Sequence, residues 1–569
     1  MMSTGRALRR CLPLLTARTG LVEVRQRKAA GGASPSTAGT PPAASDVAMS
    51  TDRATVTIAA AERPKVLDDR ALFGHPRGLG LLFVVEMWER FSYYGMRAIL
   101  VLYLVNALRW DTARAAGLYG TYTMAVYLTP LVGGYLADRV IGTRRSLVLG
   151  GFIIALGHFA LAFSGMTMFY VGLGLIIVGT GFFKANASTM VGQVYREGDP
   201  RRDSGFTIFY MGINAGAFLG PLACGYLAQS QRFGWHWGFA AAGVGMVLGL
   251  VAYMWGRDRY LPGIGLRPER SGAGPGHVQA AAHGRGDRRV LLEAAGGAVA
   301  GAAVAGVLGG GNLLALVVGA SVGATLAYTF LGSHGDERKR VVSLFIVIFF
   351  VIFFWAAYEQ AGSSMNLFAD RNTDLEIGGF HVPSSWFQSV NPLAILAFAP
   401  VFAGMWSALG RRKKEPSTAV KMVLGLFLLG IGFLFMMAGG RRADAGALVS
   451  PLWLGAAYLF HTLGELCLSP VGLSYVTKVA PARFASLLMG SWLLANAAAN
   501  KIAGALAAYT PTPGEVRPVE AGGFGGFIQR VSETNLGFYS IFVVSSFVAA
   551  AVMLLFVPLL KRLTSSIRA

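Results

Sequence analysis

The sequence predicts an all-α protein threaded repeatedly through a membrane, and three observations carry that prediction. Hydrophobic residues make up 54% of the 569 residues and charged residues only 14%, whereas soluble domains carry about 25% charge. From residue 78 onward, apolar segments follow one another with short breaks. Each is long enough to cross a hydrocarbon core of about 30 Å. The charges gather in the breaks, and alternate breaks are strongly basic, the pattern that orients a polytopic protein.

Residues 1–75 are a different material. They are rich in Ala, Ser, Thr, Pro, Gly and Arg and show no apolar periodicity, so a disordered tail is expected. Arg9, Arg10, Arg18, Arg25 and Arg27, with few acids among them, give its first part the look of an organellar transit peptide. The other reading is that translation starts at Met49. The stretch from Cys11 to Leu15 is too short to be the core of a secretory signal.

Fourteen apolar segments follow, at roughly 78–106, 115–137, 145–163, 167–194, 203–228, 236–256, 289–309, 312–332, 341–369, 384–409, 418–438, 451–478, 484–510 and 535–562. The loops at 138–146, 196–205, 256–288, 334–340 and 410–417, with the C-terminal 561–569, are basic and belong in the cytoplasm. The loop 439–446 is an exception. Both termini are then cytoplasmic, and the expected location is the plasma membrane, the inner membrane of a bacterium. The net charge of +21 reflects these loops and does not call for nucleic acid. Cys11, Cys224 and Cys467 are too scattered for disulfides or a metal site. His158 and His461 lie within spans. His158 reads as packing, and His461 remains open as a proton relay.

The seventh and eighth segments are almost entirely Gly, Ala, Val and Leu, a composition that lets two helices pack closely. Without this hairpin, six spans remain on each side. The expected organisation is a tail at 1–75, a bundle at 76–256, a linker and hairpin at 257–340, and a second bundle at 341–569.

The first segment holds the strongest chemical signal. Glu86, Arg90, Tyr93 or Tyr94, and Arg97 fall on one helix face, and Glu89 lies one residue off it. Ionisable residues inside a span are costly and usually face a cavity on a transport or proton pathway. The alternative is an internal ion pair that locks two helices together.

This string, Glu86-Met-Trp-Glu89-Arg90-Phe-Ser-Tyr93-Tyr94-Gly, resembles the E-x-x-E-R-F-x-Y-Y-G signature of the proton-dependent oligopeptide transporters, a branch of the major facilitator superfamily. With the matches below, the resemblance spans roughly residues 75 to 565. It implies the major facilitator fold, two six-helix bundles around a central site, plus the two-helix insertion of prokaryotic members.

Gly133-Gly134-Tyr-Leu-Ala-Asp138-Arg139, continuing to Arg144 and Arg145, is similar to the superfamily's cytoplasmic loop motif and implies gating by those four charged residues. Tyr127 stands where the family has a substrate-facing tyrosine. Gly120 stands where animal members have a histidine, so proton coupling must rest on carboxylates. Lys184 lies in a family motif that has proline where this chain has Ala185. Asn214 lies in Phe209-Tyr210-Met-Gly-Ile-Asn214, which resembles the second signature. In the second bundle, Trp355 and Glu359, then Asn391, Glu465, Trp492 and Asn496, lie in family-like segments.

The polarity of these residues is informative by itself. The first bundle offers Arg90, Arg97 and Lys184, and the second offers Glu359 and Glu465. A cavity positive on one wall and negative on the other suits a zwitterion whose charges lie about 5–10 Å apart, the span of a short peptide. The resemblance implies a proton-coupled symporter of di- and tripeptides. The peptide carboxylate would meet Arg90, Arg97 and Lys184, and its ammonium Glu465. Asn214 and Asn391 would bind the backbone. Tyr93, Tyr94 and Tyr127 would line the site, with Trp355 and Trp492 as side-chain pockets. The proton would reside among Glu86, Glu89 and Glu359, with Lys184 coupled to them. A related carrier of nitrate, amino acids or another small anion or zwitterion is the alternative, against which the paired acids weigh. No G-x-S-x-G and no metal-ligand spacing point to an enzyme. No cofactor is expected, and the functional unit is expected to be a monomer.

Overall fold

Pro76 sets the start of the first long helix. Its extended backbone (φ −62°, ψ 138°) leads directly into α1 (Arg77–Leu102), a position where proline's missing N–H costs nothing. The structure, a computed structural model, describes residues 66–266, 287–308, 313–512 and 523–565. The expectations for the tail before residue 66 therefore lie outside the described residues. Residues 66–75, assigned to the tail from sequence, are held in place. Val66 is buried, and the Arg201 guanidinium donates to the carbonyls of Leu67, Asp69 and Gly74. Arg201 also hydrogen-bonds Asp199, holding that loop carboxyl down to about 2.

The helices continue as α2 (Thr112–Leu136), α3 (Thr143–Ala162), α4 (Met166–Gln193), α5 (Arg202–Gln229), α6 (Trp235–Tyr260), α7 (Asp287–Leu308), α8 (Leu313–Leu331) and α9 (Gly335–Tyr358). After the short α10 (Ser364–Asn372) come α11 (Val390–Arg411), α12 (Thr418–Asp444), α13 (Pro451–Val479) and α14 (Ala485–Ala507). The last are the short α15 (Gly523–Val531) and α16 (Asn535–Leu563). Eight of the described helices are long and apolar enough to span a membrane by length and composition alone. The others depart from that standard for readable reasons. The α1 run is interrupted by Glu86, Glu89, Arg90 and Arg97. The α2, α13 and α14 runs are diluted by Tyr, Thr, Gly, Ser and Asn.

The architecture is the major facilitator fold, two six-helix bundles with a two-helix insertion. In the first bundle α1 packs on α5 and α6, α2 on α4, and α3 on α4 and α6. In the second, α12 packs on α13 and α16, α9 on α14 and α16, and α11 on α13. Each bundle has its own apolar core. Phe354, Met422, Phe433 and Phe538 anchor the second. Leu100, Tyr103, Phe169 and Phe239 fill one half of the first, and Leu79, Leu147, Phe183 and Tyr253 the other half. Glycine makes the closest approaches possible. A Cβ on Gly216 or Gly220 of α5 would collide with the α1 backbone. Gly120 of α2 and Gly504 of α14 exclude each other's Cβ in the same way where the two bundles meet.

The hydrogen bonds that join the bundles gather at the end where α1 finishes and α2 begins. Asn106 Nδ2 donates to Asp370 (2.8 Å) and Asn366 Nδ2 to the Ala98 carbonyl (2.8 Å). Gln229 Nε2 donates to Ser384 (2.8 Å), and Trp386 Nε1 to the Leu222 carbonyl (2.9 Å). Residues at 369–384, expected as a plain loop, include α10's end and a tight hairpin. Its strands β1 (Glu376–Ile377) and β2 (Phe380–His381) are joined by Gly378 and Gly379. Both glycines have positive φ, as such a turn requires.

The hairpin of α7 and α8 is closely packed through glycines, Gly297 and Gly301 facing Gly323 and Gly319. It also touches the bundles. Val322 packs with Met124 of α2 and Ala497 of α14, and the Tyr328 ring meets Phe484 edge-on.

Candidate functional site

Three helix irregularities build the site. The ninth segment, expected as one helix, breaks at Glu359–Gly362 into a tight 3₁₀ turn before α10. Gly362 there has no room for a side chain, because a Cβ would meet the Tyr119 hydroxyl and Arg97. The other two are prolines inside helices, Pro130 in α2 and Pro221 in α5, each of which removes a backbone hydrogen bond from its helix. Such breaks are tolerated at membrane depth where the backbone lines a cavity.

The cavity between the bundles has a volume of about 170 Å³. From the first bundle it is lined by Tyr94, Arg97, Tyr127, Tyr210 and Asn214. From the second it is lined by Trp355, Tyr358, Glu359, Gln388, Asn391, Tyr458 and Glu465. Arg97 Nε donates to the Tyr119 hydroxyl (2.5 Å), and Arg97 Nη2 pairs with Glu359 Oε2. This buried ion pair crosses the seam. Among the described residues, Glu465 has no basic partner. It accepts instead from the Tyr358 hydroxyl (2.6 Å) and Asn391 Nδ2 (3.0 Å). Asn391 is itself fixed by Thr462 (2.9 Å). Asn214 donates to the Tyr210 carbonyl one turn back (2.9 Å), which leaves its side-chain oxygen available.

Behind the lining lies a second charged cluster. Arg90 Nε donates to Glu86 Oε1 at 2.8 Å and stands 2.9 Å from Glu89 Oε2. All three side chains are buried. One N–H cannot point at both acids, and among the described residues neither Glu89 Oε2 nor Glu86 Oε2 has a hydrogen-bond partner. Lys184 Nζ lies 4.0 Å from the centre of the Tyr127 ring and within electrostatic reach of Glu89, Glu86 and Arg90. Tyr127 therefore stands between this cluster and the cavity.

The structure brings most of the sequence-selected residues together, though not all in one layer. Tyr94, Arg97, Tyr127, Asn214, Trp355, Glu359, Asn391 and Glu465 line the cavity. Glu86, Glu89, Arg90 and Lys184 form the cluster behind it. Tyr93 does not line the cavity. It is buried edge-on against Tyr94, because it follows Arg90 by three residues on the packed side of α1. Trp492 packs against Gly472 in the core of the second bundle. His158 is wholly buried, and its ring nitrogens have no hydrogen bond among the described residues. His461 is buried with its ring tilted at 49° to Phe433, ring centres 4.5 Å apart.

Of the residues expected to gate, Asp138 and Arg139 sit in the π-turn Ala137–Ile141. Arg139 lies over the Tyr135 ring at 4.7 Å. Arg144 bonds within the first bundle, to Asp258 (2.9 Å) and to the carbonyls of Arg257 and Leu261. Arg145 is exposed.

Sequence reasoning passed over Tyr119, Tyr358 and Gln388 as site residues. Tyr358 carried a signal, since it falls one turn after Trp355 on the same face and immediately before Glu359. Tyr119 and Gln388 carried none, because their place depends on the approach of the other bundle.

Two helical bundles closing on a charged cavity define a membrane transporter of the major facilitator type. The chain belongs to the POT family, whose model matches residues 144–263 and 317–520. It is 40% identical to an uncharacterized transporter of Bacillus subtilis (strain 168), YclF, over 88% of this chain and 97% of the relative. A di-/tripeptide transporter of Lactococcus lactis subsp. cremoris is 36% identical over 76% of this chain and 89% of its own length. Among solved structures, a crystal structure of the peptide transporter POT in complex with sulfate is similar at a TM-score of 0.72 and 35% identity. That match covers 89% of this chain and 99% of the other.

Proposed function

We propose that this chain is a proton-coupled symporter that imports di- and tripeptides across a bacterial inner membrane by alternating access, with both termini in the cytoplasm. The observation that carries the proposal is the division of charge across the seam. Arg97 on the first bundle faces the cavity, and an acid without a cation, Glu465, faces it from the second. A peptide carboxylate binds at Arg97, whose Nη1 has no bond among the described residues, with Arg90 and Lys184 adding positive potential behind it. The ammonium binds at Glu465, already oriented by Tyr358 and Asn391. The Asn214 oxygen and the Asn391 amide meet the peptide backbone, and Trp355 borders a side-chain pocket.

The Glu359 carboxylate and the peptide carboxylate compete for the same arginine. While Glu359 is charged it holds Arg97, and the bundles are tied at the seam. A proton on Glu359 removes that pull and frees Arg97 for the peptide carboxylate. Glu86 and Glu89 both crowd Arg90 Nε, which hydrogen-bonds Glu86, so a proton on either acid relieves repulsion between them. Burial disfavours a charged carboxylate and an adjacent arginine favours it. The affinity of these acids for protons therefore follows the positions of Arg90, Arg97 and Lys184.

The bias of the basic loops supports reading the hydrogen-bonded end of the seam as the outer one. The described conformation is thus closed to the outside. A cavity of about 170 Å³ is below the range of about 300–1,000 Å³ of ordinary ligand sites, so binding requires the bundles to part. Purified protein in liposomes should accumulate labelled dialanine under an inward pH gradient, with unlabelled dipeptide competing and nitrate not. No accumulation with either gradient sign, or competition by nitrate alone, refutes the proposal.

A further inference from the structure

A second cavity lies in the first bundle, where α3 begins and α6 ends. Its volume is about 450 Å³, and it is lined by Arg144, Arg145, Val148, Leu149, Phe152 and Arg257. We propose that it holds the headgroup of an anionic phospholipid from the leaflet at that end of the molecule, with an acyl chain laid along α3.

Two kinds of chemistry stand side by side there. Three guanidinium groups converge, and the acid beside them, Asp258, is largely engaged by Arg144 at 2.9 Å and is 72% exposed. The Nε atoms of Arg144 and Arg257 are buried without a hydrogen-bond partner among the described residues. Arg257 Nε is 3.5 Å from Asp258, too far and too poorly aligned to be satisfied. Buried donors of this kind call for an acceptor, and arginine matches phosphate oxygens best. The wall that continues from these arginines is apolar. Val148, Leu149 and Phe152 follow Arg145 on one face of α3, with Phe152 55% exposed. On α6, Trp255 is 74% exposed, at the depth where aromatic residues meet the bilayer interface. A free phosphate would use the arginines and leave the apolar wall idle. A phospholipid uses both, and basic pockets between spans on the positively charged side are suited to anionic headgroups.

The test uses the purified full chain in a neutral detergent, with retained lipid measured by native mass spectrometry. The probes are dioctanoyl phosphatidylglycerol, dioctanoyl phosphatidylcholine and inorganic phosphate. Phosphatidylglycerol should be retained in preference to phosphatidylcholine. Arg145→Gln should weaken its binding roughly fivefold, and the pair Arg145→Gln and Arg257→Gln roughly twentyfold. The same charge removed at Arg411 and Arg412 should change it little. Arg145 is exposed, so its single variant carries the test if the double variant folds poorly. Equal retention of the two lipids overturns the proposal. So does equal loss from the Arg411 and Arg412 changes, or displacement of the lipid by millimolar phosphate, which would mark a free-anion site.

Discussion

Arg97 on α1 and Glu359 on the turn after α9 form a buried ion pair that crosses from one bundle to the other. The pair sits at the wall of the central cavity, and Tyr119 fixes the arginine from the side. A buried pair contributes little net stability when intact, but removing one partner costs about 3–5 kcal/mol because the other charge is stranded. Such a contact suits a switch better than a strut.

Glu359→Gln should therefore separate coupling from transport. The amide keeps the size of the side chain and cannot change its charge with pH. Accumulation driven by a pH gradient should fall to background, while exchange of labelled for unlabelled dipeptide continues. Full gradient-driven uptake by Glu359→Gln would place the proton elsewhere.

Glu465 should set the requirement for a free amino terminus. It is the cavity acid without a cation, and hydrogen bonds to charged groups contribute about 1.5–3 kcal/mol. Glu465→Gln should weaken binding of dialanine by roughly ten- to a hundredfold. Binding of N-acetylated dialanine, already weak, should change little. Competition uptake with the two ligands measures both effects, and equal losses for the two would remove the ammonium from this position.

Much of this was legible in the sequence because it is local. Glu86, Glu89 and Arg90 meet within one helix, as their spacing requires, and the fourteen apolar runs correspond to fourteen long helices among the described residues. What was not legible depends on contact between distant segments. The pairing of Arg97 with Glu359 needs both bundles in place. So does the position of Tyr119 beside Gly362. The break at Glu359–Gly362 was masked by the unbroken apolarity of the helix before it. Trp492 drew attention as an aromatic residue in a family-like segment, but apolar packing against Gly472 has the same signature as a pocket wall.

The hairpin of α7 and α8 should affect stability more than affinity. It reaches the seam through Val322, beside Met124, Ala497 and Tyr127, yet Val322 does not line the cavity. Gly301→Leu would drive a side chain into the α8 backbone, and overpacking of this kind costs about 1–3 kcal/mol. The thermal midpoint in detergent should drop, while the Kd for dialanine stays within a few-fold. Loss of binding in a variant with an unchanged midpoint would show that the hairpin shapes the site.

Glu86 and Glu89 should prove unequal, although both face Arg90. Glu86 accepts the Nε hydrogen bond at 2.8 Å. Glu89 stands at 2.9 Å without one, and its Oε2 is buried and unsatisfied. Glu89 is thus the acid better placed to take a proton, since a protonated oxygen gives up no hydrogen bond to arginine. Glu89→Gln should abolish gradient-driven accumulation and retain peptide exchange, with little change in thermal midpoint. Glu86→Gln keeps a hydrogen bond to the arginine but removes the carboxylate charge that balances it in a buried site, so its midpoint should fall and both activities should weaken together. Arg90→Ala strands both acids and should damage folding and both assays. If the helix-lock reading were right instead, Glu89→Gln and Glu86→Gln would lose stability alike, and neither would split exchange from accumulation.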